Sequence, residues 1–221
     1  HKATLEPLER LKDRGFTIDY LLVDRKGRIN VDEIKEKLND DTLLVSLIHA
    51  NNETGVLNPI SEVADLLKES KSETYFHVDA AQSFGKTIET LQHSRIDMIS
   101  MSAHKIFGPK GIGALLLRSR NYEKPPLEPL MIGGGQERGL RPGTLAVPLI
   151  AGFGKAAELS LDNYQDRNNK CKEFRVKALE AISSIGGVLN GDDENTLSHT
   201  INVSIPGVNS EAAMIVLKDI A

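Results

Sequence analysis

The chain has 221 residues, 40% of them hydrophobic, and its 27 basic and 31 acidic side chains give a formal net charge of -4. That is enough to bury a sizeable core. Charges of both signs are spread along the chain, which excludes nucleic-acid or membrane-surface binding driven by charge. No apolar run reaches the roughly 18 residues of a bilayer span, the opening HKATLEPLERLK lacks the apolar centre of a secretory signal, and the single Cys171 excludes an internal disulfide.

These features set the expectation of a soluble, cytoplasmic protein that contacts neither nucleic acid nor membrane. The chain opens in a helix-like pattern without a methionine and stops at LKDIA inside another such pattern. A piece of a longer protein, truncated at both ends, is therefore expected.

Leu5, Leu8 and Leu11 fall at helical spacing, and Gly15 suits a helix C-terminus. Asn30, with Glu33 three residues on, predicts a capping box before Ile34 and Leu38. The run TLLVSLIHA, residues 42–50, is too apolar for an edge strand and predicts a strand buried on both faces, ending in Asn51 and Asn52. Pro59 opens a helix through Val63, Leu66 and Leu67, which leads to a strand at TYFHVDA. Residues 96–102 form another short strand ending in SAHK, and Gly113 to Leu117 a further one after a Gly/Pro-rich turn. Helices alternating with buried strands predict an α/β fold with a mainly parallel central sheet and helices on both faces.

Beyond GGGQERGLRPGT and Pro148 the texture changes. Residues 150–185 read as helical, 199–205 alternate like a half-exposed strand with Ile201, Val203 and Ile205 on one face, and Asn209 or Ser210 caps a last helix. The expected division is a large domain over residues 1–149 and part of a smaller α+β domain over 150–221.

Open parallel sheets bind ligands beyond the carboxyl ends of their strands. Three such ends carry polar groups: Asn51, Asn52 and Glu53; Asp79 and Gln82; Ser102, His104 and Lys105. Taken singly, each has an ordinary explanation: an Asn-Asn turn, a helix cap, a structural histidine, a solvated lysine. Together they supply what a pyridoxal cofactor needs: an amine for its aldehyde, a carboxylate for its pyridine nitrogen, and donors for its phosphate and phenolic oxygen.

The strings HVDAAQS at 77–83 and SAHKIFGPKGIGAL at 102–115 place Lys105 26 positions after Asp79. With HANNETG at 49–55 and GGGQERGLRPGT at 133–144, they resemble the NifS- and IscS-like cysteine desulfurases of the class V aminotransferase group, fold type I. The resemblance runs over the whole chain. It implies pyridoxal 5'-phosphate as cofactor, with Lys105 as the Schiff-base lysine and later the proton shuttle. Asp79 pairs with the pyridine nitrogen, Gln82 binds the phenolic oxygen, and Asn52 lies beside that oxygen and the substrate carboxylate. Ser102 and His104 reach the phosphate, and His1 stacks on the ring. Thr144 resembles a threonine that crosses to the neighbouring subunit's cofactor phosphate, which implies a homodimer.

The implied reaction removes sulfur from L-cysteine, giving alanine and an enzyme persulfide destined for a sulfur-acceptor protein. The family's nucleophilic cysteine follows a segment resembling LKDIA, whereas Cys171 sits in a charged helical stretch that nothing in the sequence brings near Lys105. The family's glycine/threonine phosphate loop and its substrate-binding arginine also fall outside these residues. Alternatives are a related class V aminotransferase, a selenocysteine lyase, or a non-catalytic scaffold of the same fold. A nucleotide-binding reading of GPKGIGA fails because the P-loop spacing is absent.

Overall fold

Three runs of short apolar alternation become neighbouring parallel strands because helix or turn returns the chain between them. A computed structural model describes residues 1–70 and 72–219. The elements are α1 (Lys2–Lys12), α2 (Val31–Lys37), β1 (Leu44–Ile48), α3 (Ile60–Glu69), β2 (Tyr75–Asp79), β3 (Met98–Ser102), β4 (Gly113–Leu117), α4 (Val147–Ser184), β5 (Val188–Leu189), β6 (Val203–Ser204) and α5 (Ser210–Val216). Short 3-10 turns cover Glu89–Gln92, Ala103–Ile106 and Gln136–Gly139.

The main sheet has the order β1-β2-β3-β4. β1, β2 and β3 are parallel, and β4 runs antiparallel to β3, pairing Ser102 with Gly113. A hairpin-length connection can only return a strand antiparallel, whereas parallel neighbours need a longer crossover. The sheet is mainly parallel, as the alternation predicts.

One sheet face and α3 build the core. Leu47, Phe76, Val78 and Ile99 meet Ile60, Val63, Ala64 and Leu67, with Ile34 of α2 joining them. The α3 residues recur at three- and four-residue steps and make one apolar stripe. At the amino end of the strands, Asp97 is 1% exposed. Its Oδ2 accepts from Phe76 N and Arg95 Nη1, both at 2.7 Å, and its Oδ1 accepts from Arg120 Nε at 2.9 Å.

Local expectations are corrected at three places. β1 lies at the edge of this sheet, with Leu44 exposed and only Leu47 buried, rather than being buried on both faces. Among the described residues its one strand neighbour is β2. The reciprocal capping box does not close: Asn30 Oδ1 accepts from Asp32 N, but Glu33 Oε2 instead accepts from Leu22 N at 3.1 Å. Of the strand predicted over 199–205, only Val203–Ser204 pairs, because β5, its partner, is itself two residues long.

α4 is one continuous helix from Val147 to Ser184, so position 149/150 falls inside its first turn. Asn209 caps α5, accepting from Ala212 N at 3.0 Å. None of the described helices is long and apolar enough to cross a membrane.

Candidate active site at the carboxyl ends of β2 and β3

Asp79 ends β2, and Ser102 ends the adjacent β3. Both turns that follow are pinned from below. After β3, Ala103 and Ile106 are buried, one 3-10 turn apart on the same side. The residues between them are thereby turned the other way: His104 is exposed and Lys105 half-buried. Phe107 then carries the backbone through the left-handed region at φ 65° with its ring 85% exposed, an unusual conformation for a bulky residue. Gly108 N closes the turn on Ala103 O at 3.0 Å, and the guanidinium of Arg167 from α4 lies 5.2 Å from the Phe107 ring centre.

After β2, Asp79 Oδ1 accepts from Ala81 N at 3.0 Å, which folds the chain back and leaves Oδ2 without a protein donor among the described residues. Gln82 sits half-buried in that turn. Gly85 at φ 70° lets the turn pack on α4 and on the Lys105 turn together: a Cβ there would stand 2.9 Å from Ser160 Cβ and 3.0 Å from Ile106 Cγ2. The two turns share a floor.

Asn52 follows β1, which pairs Ile48 with Asp79. It is exposed in a turn organised by Asn51, whose Oδ1 accepts from the backbone of Glu53 and Thr54, both at 2.9 Å. A distant segment grips this turn: Leu197 N donates to Gly55 O and Leu57 N to Asn195 O, both at 2.9 Å. Gly55, at φ 77°, is needed for the contact, since a Cβ would meet Thr200 Cβ at 2.7 Å. Arg175 of α4, 8% exposed, secures the gripping segment through Asp193 Oδ1 at 3.0 Å and the Thr200 carbonyl.

The sequence-predicted residues therefore fall into two sets. Asn52, Asp79, Gln82, Ser102, His104 and Lys105 follow three adjacent parallel strands at one sheet edge. His1 and Thr144 follow none of these strands. His1 is exposed and caps α1, accepting from Ala3 N at 3.2 Å, and Thr144 is exposed in the turn before α4.

Sequence reasoning passed over Lys86 and His199. Lys86 Nζ lies 3.2 Å from His199 Nε2, across 113 positions of sequence. Burial lowers the Lys86 amine's pKa, and the nearby Lys105 charge adds to this while Cys171 opposes it. Cys171, half-buried on α4, is thus nearer this region than its sequence setting suggests. The signal available was Lys86's place four residues beyond Gln82, in the same turn.

Among the described residues Lys105 makes no ion pair, and no hydrogen bond ties its amine. An uncommitted amine, a carboxylate with one open oxygen, an amide, a hydroxyl and an imidazole form a donor set that can hold an aldehyde, a protonated ring nitrogen, a phenolic oxygen and a phosphate.

Strand order and superposition together define the class: this is the fold type I architecture of the aminotransferases. Against DndA from Streptomyces lividans the TM-score is 0.92 at 48% identity, covering 99% of this chain and 61% of that one. Against SspA in complex with cysteine it is 0.80 at 34% identity, covering 99% and 59%. The family model described as Aminotransferase class-V matches residues 1–221, and the chain belongs to that family. It is 43% identical over 224 residues to the mitochondrial cysteine desulfurase of Saccharomyces cerevisiae, a match that takes in all of this chain and 44% of the relative. The chain spans about half the length of the curated relatives it matches.

Proposed function

We propose that the chain is the central part of a pyridoxal-phosphate-dependent L-cysteine desulfurase. The observation that carries this reading is the placement of Asp79 at the end of β2 and of Lys105 in the turn after the adjacent parallel β3, each with a functional atom free among the described residues. The family match and the relatives named cysteine desulfurases support it.

Pyridoxal 5'-phosphate, when bound, supplies an electron sink for the bonds at the substrate's α-carbon. Lys105 would hold it through its aldehyde. Asp79 accepts a hydrogen bond from the ring nitrogen and keeps it protonated, because a carboxylate stabilises the adjacent positive charge. Gln82 donates to the phenolic oxygen, with Asn52 beside it and the substrate carboxylate. Ser102 and His104 would donate to the phosphate, and the family resemblance assigns His1 to the ring. The Lys105 amine would take the substrate's α-proton as a general base.

Sulfur passes to an enzyme thiol as a persulfide, and alanine leaves. That thiol belongs to a cysteine outside these residues, since Cys171 is half-buried in the middle of a helix. Thr144, on an exposed turn, would reach the cofactor phosphate of a second subunit in a homodimer. The persulfide is delivered to a sulfur-acceptor protein in the cytoplasm. Residues 1–149 form part of the cofactor-binding domain and 150–221 part of the smaller one.

The test uses the full-length protein supplied with pyridoxal 5'-phosphate. Visible absorbance bleached by borohydride and absent in Lys105→Ala is expected, together with alanine and a trappable persulfide from L-cysteine. A colourless protein overturns the reading in favour of a scaffold. A keto acid with an exchanged amino group overturns desulfuration in favour of transamination.

A further inference from the structure

On the sheet face opposite the apolar core, a polar row crosses three strands beneath Asp79. His77 stands two residues before Asp79 on β2, so both side chains leave the same face. The His77 Nδ1 lies 2.8 Å from Ser46 Oγ on β1, and its Nε2 lies 3.2 Å from Ser100 Oγ on β3. Ser100 is also the register partner of Asp79. One half-buried imidazole thus ties the two strands flanking Asp79 to the strand that carries it.

A neutral imidazole has one N–H and one bare nitrogen, and a serine hydroxyl can donate or accept, so the row is satisfied in either tautomer. Burial holds His77 below the usual imidazole range, while the nearby Asp79 charge pulls the other way. With both ring nitrogens engaged by hydroxyls, His77 has no donor left for Asp79. The carboxylate is braced by its neighbours yet not quenched by them, and its Oδ2 stays available.

We propose that His77, clamped between Ser46 and Ser100, is a positioning residue that locks β1, β2 and β3 in register beneath Asp79 and so aims its carboxylate at the cofactor's ring nitrogen. The inference rests on the cofactor reading of Lys105 and Asp79 given above. A brace of this kind acts on the cofactor's binding and electronic state, whereas a merely structural hydrogen bond acts on folding stability alone.

The experiment compares full-length wild type, His77→Phe, His77→Gln and the Ser46→Ala/Ser100→Ala double variant, each loaded with pyridoxal 5'-phosphate. The readouts are cofactor dissociation constant, the pH midpoint of the visible absorbance, and Tm. His77→Phe and the double variant are expected to weaken cofactor binding about tenfold or more, the scale that loss of an orienting partner has at metal sites. They are also expected to move the absorbance midpoint by about half a pH unit, with His77→Gln restoring part of both. The double variant carries the test where His77→Phe fails to fold. Binding held within about twofold, with superimposable titrations and only Tm lowered, overturns the proposal. A wild-type protein that takes up no cofactor overturns the reading of Lys105, and this inference falls with it.

Discussion

Acidification asks His49 to accept a proton where it is least able to. The residue follows β1, is 3% exposed, and its Nδ1 has no hydrogen-bond partner among the described residues. Burial pushes its pKa down from 6.5 to about 4. In the unfolded chain the imidazole takes up a proton below about 6.5, while in the fold it stays neutral to about 4. Between those values the unfolded state binds the extra proton, so the stability tied to neutral His49 is complete above about pH 6.5 and drains away as pH falls toward 4. Linkage over that window gives a loss of about 2 kcal/mol at pH 5 and about 3 kcal/mol at pH 4, relative to pH 8.

Urea unfolding of wild type and His49→Leu at several pH values between 8 and 4.5 measures the difference, and other titrating groups cancel between the two proteins. The gap between the two stability curves should change by about 2 kcal/mol from pH 8 to pH 5, wild type losing more. Parallel curves across that range would refute the argument. The site is chemically consequential, since His49 N donates to Asp79 O at 2.9 Å and Asn58 N donates to His49 O at 2.8 Å.

Asp97→Ala should cost about 3–5 kcal/mol by thermal or urea unfolding, because it strands the buried Arg95 guanidinium; Asp97→Asn should cost less. Leu67→Ala, which empties a fully buried position beneath Phe76 and Val78, should cost about 3 kcal/mol in the same assay. Gly55→Ala should cost about 1–3 kcal/mol, because it combines a left-handed backbone with contact on Thr200. Hydrogen exchange should show the extra opening in residues 51–57 and 195–202 rather than in the sheet.

The strand-end polar groups were legible because position along a parallel strand follows from alternation, and β4 appears in full as read from Gly113 to Leu117. The placement of Asp79 and Lys105 after adjacent strands needed only the order of those strands. Contacts between distant segments were not legible. The grip of Leu197 on Gly55 and the pairing of Lys86 with His199 join residues more than a hundred positions apart, and no local periodicity encodes them. His77 was visible inside its strand, yet its two serine partners lie on different strands and emerge only from the register. The capping box at Asn30 failed for the same reason, as Glu33 found a better-placed donor in Leu22, eleven residues back.

The unbroken run of α4 gives the molecule a lever. Ala156 and Ser160 bear on the Lys105 and Gly85 turns near one end, and Arg175 holds the Thr200 carbonyl further along. At 1.5 Å per residue the arm from Ala156 to Arg175 is about 28 Å, so a tilt of about 5° at the turns displaces Arg175 by about 2.5 Å, enough to break its hydrogen bonds. One helix thus touches both the lysine turn and the segment that grips the Asn52 turn. A probe on Arg175 would register what happens at Lys105 without touching it.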